Sequence, residues 1–175
     1  MLVYASLLAR FQRLVVVLLI LISTTIAHAT DEVVRAPDYA IAQIRLTPAN
    51  SSTSITFSVK LAVTPSQHAY GLMFSPKLPV KSGMLFLFED MKPRTFWMKN
   101  TPIALDMLFF DDSGRLVTLI SNAKPNTMTL LNSRRAARYV LEIGGLEASR
   151  LNIKIGSRLH LPIVITGNEP RSHKK

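Results

Sequence analysis

The chain has 175 residues, enough for one domain with a substantial core and too few for two comfortable ones. Its 21 basic and 11 acidic residues give a net charge of +10, which favours anionic partners and leaves the fold open. There is no cysteine, so thiol catalysis, disulfides, cysteine-held zinc and thiol redox exchange are excluded.

The N-terminus reads as a secretory signal. Arg10 and Arg13 precede the apolar run Leu14–Ile22, and Ala27-His28-Ala29 supplies a small-residue exit, so cleavage is expected after Ala29. An uncleaved membrane anchor is the alternative. The charge-free run is shorter than the ~20 residues of a spanning helix, which favours cleavage. Without residues 1–29 the chain keeps 19 basic and 11 acidic residues, a net charge of +8. The expectation is therefore a periplasmic or secreted protein without a membrane span. Its basic surplus would meet anionic envelope polymers rather than nucleic acid.

Residues 30–38 read as a flexible lead. Tyr39–Leu46 roughly alternates apolar and polar positions, as a half-buried strand does. Pro48–Ser52 is turn chemistry, and Ile55, Phe57, Val59, Leu61 and Val63 then fall at strict alternate positions of a second strand. Thr64-Pro65-Ser66-Gln67 is a capping-box pattern with proline at the first helical position, which predicts a short helix over Pro65–Tyr70 ending at Gly71. Pro76 and Pro79 enforce a loop. From Gly83 to Asp111, two strongly apolar segments flank a polar centre that holds Trp97, the only tryptophan.

Asp111–Gly114 reads as a hairpin turn into a strand over Arg115–Ile120, and Asn122–Asn132 as a loop. Arg134, Arg135 and Arg138 lead into a strand at Tyr139–Ile143. A second short helix is expected over Leu146–Leu151 and a last strand over Leu159–Ile165, before a disordered basic tail at 166–175. Short strands at regular spacing with two brief helices predict a mostly β, single, partly closed barrel over residues 39–165, expected to be monomeric. A barrel would also protect the edges of the long apolar strands.

Several motifs stand in one order: Gly71-Leu72-Met73, Gly83–Phe88, Phe96-Trp97-Met98-Lys99-Asn100-Thr101, Leu105-Asp106, Val140-Leu141-Glu142 and Gly156. In this the chain resembles domain-of-unknown-function family 192, small bacterial and archaeal proteins, over about Val59–Leu161. The resemblance implies a single β-rich domain, often exported, and carries no established activity. Where that family usually has Gly-Asp in the final turn, this chain has Gly156-Ser157. If the aspartate caps the turn, Ser157 can do so more weakly.

Candidate site residues gather in the polar centre. Trp97 is first a core aromatic, worth on the order of 3 kcal/mol on burial, and alternatively a stacking wall for sugars or cations. Asn100-Thr101-Pro102 is turn-forming, or else the Asn100 amide and Thr101 hydroxyl line a pocket beside Trp97 and Met98. Asp106 and Glu142 each interrupt an apolar strand. Such charges usually face solvent or tie to a turn amide, but two carboxyls converging in a barrel mouth could form an acid/base pair.

His68 and His160 lie far apart without metal-ligand spacing, so no metal site or cofactor is expected. Methionines beside Trp97 suit Cu(I) in principle, yet no Met-x-Met spacing occurs. Three readings follow. The first is a non-catalytic binding module using Trp97, Met98, Asn100, Thr101 and Asp106. The second is a hydrolase using Asp106 and Glu142, and the third is a Met/Trp copper protein or a purely structural interaction domain.

Overall fold

The computed structural model describes residues 35–161. The expected signal segment at 1–29 and basic tail at 166–175 lie outside the described residues. β1 (Ala40–Thr47) and β2 (Ile55–Ala62) are antiparallel, and α1 (Pro65–Tyr70) follows. β3 (Ser82–Phe96), β4 (Leu105–Phe110), β5 (Leu116–Ala123) and β6 (Leu131–Gly144) come next, then α2 (Glu147–Arg150) and β7 (Arg158–His160).

The strands form one sheet in the order β5-β4-β6-β3-β2-β1-β7. Every pairing is antiparallel except β2 with β3. A parallel pair needs a long crossover, and Val63–Lys81, which carries α1, supplies it. The sheet curls until its two ends meet. Arg115 bridges Arg158, Leu116 N–H donates to the Ser157 carbonyl at 2.8 Å, and Leu159 N–H donates to that of Gly114 at 2.7 Å. The chain is a mostly β, partly closed barrel with two short helices, as its sequence predicts.

Alternation along the strands sends side chains to two separate cores. All seven strands contribute to the inner one, including Ile44, Phe57, Leu85, Leu108, Leu116, Leu141 and Leu159. The second lies on the opposite face of β3, β6 and β4, where Met84, Phe86, Met107, Phe109 and Val140 pack with Leu72 and Met98. Because both faces are covered, all six residues of β4 are buried. Gly83 permits this assembly. A Cβ there would lie 2.2 Å from the Glu142 carbonyl oxygen, so only glycine lets β3 approach β6 this closely.

α1 has the expected boundaries. Thr64 Oγ1 accepts from Gln67 N–H at 3.2 Å, and Gln67 Oε1 accepts in return from Thr64 N–H at 3.0 Å. Gly71 ends the helix with φ of 53°. Three strands are longer than the sequence reading, β5 running on to Ala123 past the expected end at Ile120. β3 continues through the charged Glu89–Arg94, with register shifts on either side of Pro93, whose missing N–H suits an irregular ladder. β6 begins eight residues before Tyr139 and takes in all three arginines, with Arg134 at a positive φ of 57°. The last strand is short, Arg158–His160, and its expected continuation to Ile165 leaves the described residues beyond Leu161.

Ser157 does cap the final turn: its buried Oγ accepts from Lys154 N–H at 3.1 Å and Ala49 N–H at 3.0 Å.

Candidate functional site

A cavity of about 620 Å³ opens on the second face of the sheet. α1 and the loop after it form one wall through His68, Tyr70, Gly71 and Leu72. β3 forms another through Phe86, Phe88, Arg94 and Phe96, and Trp97, Lys99, Thr101 and Leu130 border the rest. Glu142 of β6 reaches it from the sheet. The volume falls in the ordinary range of small-molecule sites.

The walls are mainly aromatic and mutually braced. Phe86 and Phe96 meet edge to face at 5.1 Å, and the His68 ring lies 4.5 Å from that of Phe88. His68 Nε2 sits 3.0 Å from the Ala62 carbonyl, which only accepts, so that nitrogen carries the proton. Trp97 keeps 42% of its surface exposed. It is thus half wall and half rim, rather than a core aromatic. Lys99 Nζ lies 5.4 Å from the Trp97 ring centroid. The Arg94 guanidinium stacks 3.9 Å over Phe88, pairs with the Asp90 carboxylate at 2.5 Å, and donates to the Ala137 carbonyl and that of Asp90. Lys92 and Arg94 together lower the Asp90 pKa to about 2.

Glu142 is the unusual group. Only 4% of it is exposed, and Met84 and Met107 flank it in register on the two neighbouring strands. Among the described residues nothing donates a hydrogen bond to its carboxyl, whose oxygens open onto the cavity. Burial without a partner pushes its pKa up to about 8, so the carboxyl holds its proton at neutral pH.

Asp106 is the opposite case. Its fully buried carboxylate accepts from Ser121 Oγ at 3.1 Å and from the N–H groups of Asn122 at 2.7 Å, Leu146 at 3.0 Å and Ala148 at 2.8 Å. It ties β5 to the first turn of α2, which has no side-chain cap of its own.

The expected acid/base pair does not form. Met107 pairs with Glu142 and Asp106 with Ile143, so the two carboxyls lie on opposite faces of the sheet. The hydrolase reading built on that pair is corrected by this register.

Of the other expected site residues, Trp97 and Thr101 line the cavity while Met98, Asn100 and Asp106 do not. Met98 is wholly buried in the second core, and its N–H donates to the Thr127 carbonyl at 3.0 Å. Asn100 takes a turn conformation with φ of 53° and points its backbone carbonyl at Phe74 N–H, 2.7 Å away. The Thr101 hydroxyl donates to the Lys99 carbonyl at 3.2 Å. The methionines are dispersed. Met84, Met98 and Met107 sit in the second core, Met73 lines the cavity, and Met91 and Met128 are exposed. No group of three His, Cys, Asp or Glu side chains with metal-binding geometry occurs among the described residues.

Sequence reasoning missed Tyr70, Phe86, Phe88, Arg94 and Phe96 as wall residues. The Phe-x-Phe alternation at Phe86 and Phe88 was visible, but nothing local told that this face meets α1.

The family model DUF192, described as an uncharacterised ACR, matches residues 46–161. The chain belongs to this family. A Sinorhizobium meliloti protein, described as a candidate transcription regulator, has a crystal structure similar to this chain at a TM-score of 0.69 and 38% identity. That match covers 71% of this chain and 95% of the other. A protein of unknown function from Novosphingobium aromaticivorans matches at a TM-score of 0.66 and 33% identity, over 76% of this chain and 99% of its own. No curated protein matches the chain.

Proposed function

We propose that this DUF192 chain is an exported, non-catalytic binding module whose cavity beside Trp97 takes a small organic molecule. One observation carries the reading: an aromatic-walled space of about 620 Å³ with a buried carboxyl left open at its edge. Ligand sites are mostly apolar with a few convergent polar groups, and this cavity has that make-up. Export rests on the charged start, apolar run and Ala-x-Ala exit of residues 1–29. The mature basic surplus suits contact with anionic envelope polymers. Export would part the chain from DNA, which argues against the regulator role with which its Sinorhizobium relative is described.

The test is a small-molecule screen of the purified protein by melting temperature, with Trp97 fluorescence as the second signal. A binder should raise the melting temperature and shift or quench the emission, and Trp97→Ala should weaken it roughly tenfold through lost ring contact. A broad screen with no stabilising compound, or binders indifferent to Trp97→Ala, would sink the reading. N-terminal sequencing of protein recovered from the cell envelope tests export separately: mature protein should begin at Thr30, and a cytosolic chain retaining residues 1–29 would refute it.

A further inference from the structure

We propose that the cavity takes an organic primary amine, its ammonium seated on the Glu142 carboxylate and its apolar body against the aromatic walls. This rests on the binding reading above and names the ligand class for the same site.

The contrast among buried polar side chains points there first. Asp106 has four donors, and Ser157 accepts two backbone N–H groups. Glu147 accepts from Lys81 N–H at 2.6 Å, and Ser133 accepts from Arg94 N–H while donating to the Arg135 carbonyl. Thr101 donates to a carbonyl. Among the described residues Glu142 alone of these has no partner, and its oxygens face the cavity. A side chain this secluded can find a donor only from the cavity, so a ligand that brings one gains a charge-assisted hydrogen bond there.

No described residue supplies the missing charge. Arg94 is held by Asp90 and two carbonyls, and Lys99 lies over the Trp97 ring. Neither donates to Glu142. The other titratable groups facing this region are His68 and Tyr70 of α1. Behind them lies Tyr39, whose hydroxyl is 3.3 Å from the Gly71 carbonyl and whose pKa burial pushes up to about 12.

Phe86 and Phe96 line the cavity and meet the ligand's apolar body, and Asp90 offsets the charge of Arg94. Hydrogen bonding decides the kind of cation. A quaternary ammonium has no N–H to offer the two open oxygens, whereas a primary ammonium has three. The volume exceeds what an ammonium group needs, so the amine is carried on an apolar body.

Binding displaces a proton. The empty site holds Glu142 protonated up to about pH 8, and seating the ammonium requires the carboxylate. Below that pH each bound amine releases about one proton, and affinity falls about tenfold for each unit of pH lowered.

Three probes with one body and different heads test this by calorimetry: 2-phenylethylamine, 2-phenylethanol and phenylacetate. The amine should bind at pH 8 at least about tenfold tighter than either of the others. In buffers of different ionisation enthalpy at pH 7, the amine should release close to one proton and the alcohol none. Glu142→Gln, which leaves His68 in place, should remove the preference and the proton release while keeping alcohol binding and a folded melting transition. Equal binding of amine and alcohol, or amine binding without proton release, overturns the ammonium inference and leaves the binding reading standing. Failure of all three probes at millimolar concentration overturns both. Should Glu142→Gln not fold, the proton count and pH series of the native protein decide the question alone.

Discussion

Glu142 and Asp106 are both single carboxylates inside apolar strands, yet their chemistry is opposite. The folded chain keeps a proton on Glu142 between the ordinary glutamate value and about pH 8, where the unfolded chain has released it. Stability therefore falls as pH rises through that window and levels off above it, by an amount on the order of a few kcal/mol. Glu142→Gln should melt like the native protein at pH 5 and higher than it at pH 8.5, which paired thermal melts would show. A native protein as stable at pH 8.5 as at pH 5 would contradict this account. Asp106→Asn should cost about 2–4 kcal/mol, because an amide group turns a donor toward backbone N–H groups that need an acceptor. Denaturant melts check that value, and a loss under about 1 kcal/mol would show that the four bonds matter little. The sequence marked both residues as informative. It could not separate them, because the face of each depends on the register of β4 against β6, set by Asp106 pairing with Ile143 and Met107 with Glu142, 37 and 35 residues apart.

At the scale of elements, what was legible is what is local. The capping box, the hairpin turn at Asp111–Gly114 and the period-two strand β2 all depend on neighbours within about four residues, and each stands where the sequence put it. The charged half of β3 and the arginine-rich half of β6 were not legible as strands. They are held by pairing with each other, as Lys92 with Ala137 and Thr95 with Asn132, rather than by their own pattern. The cavity was illegible for the same reason, since α1 meets Phe86 and Phe88 only after the crossover has folded. α1 depends on its cap, and so does the wall it forms. Thr64→Ala should destabilise the protein by about 1 kcal/mol. It should also weaken any ligand that Trp97→Ala weakens, because His68 and Tyr70 lose their anchor. Unchanged affinity would show that the wall stands without the cap.

Across the whole molecule, the net charge of +10 is a property of the surface and not of the barrel. Arg134 and Arg135 are exposed on β6, away from the two cores. Sedimentation with lipopolysaccharide or cell-wall preparations should show binding at low salt that weakens strongly near 1 M, where screening is nearly complete. Binding that ignores salt would assign it to another cause. The barrel itself carries a kinetic consequence through its closure. β7 pairs with β1, joining Arg45 to His160, and also meets the start of β5. The two ends of the domain are thus sealed to each other across more than a hundred residues of intervening chain. A ribosome that has released only the first strands cannot yet offer them their partners. Long-range closure of this kind places folding in the millisecond-to-second range rather than the microsecond range of local folds. Stopped-flow refolding would measure it, and the delay would keep an emerging chain threadable until nearly all of it is free.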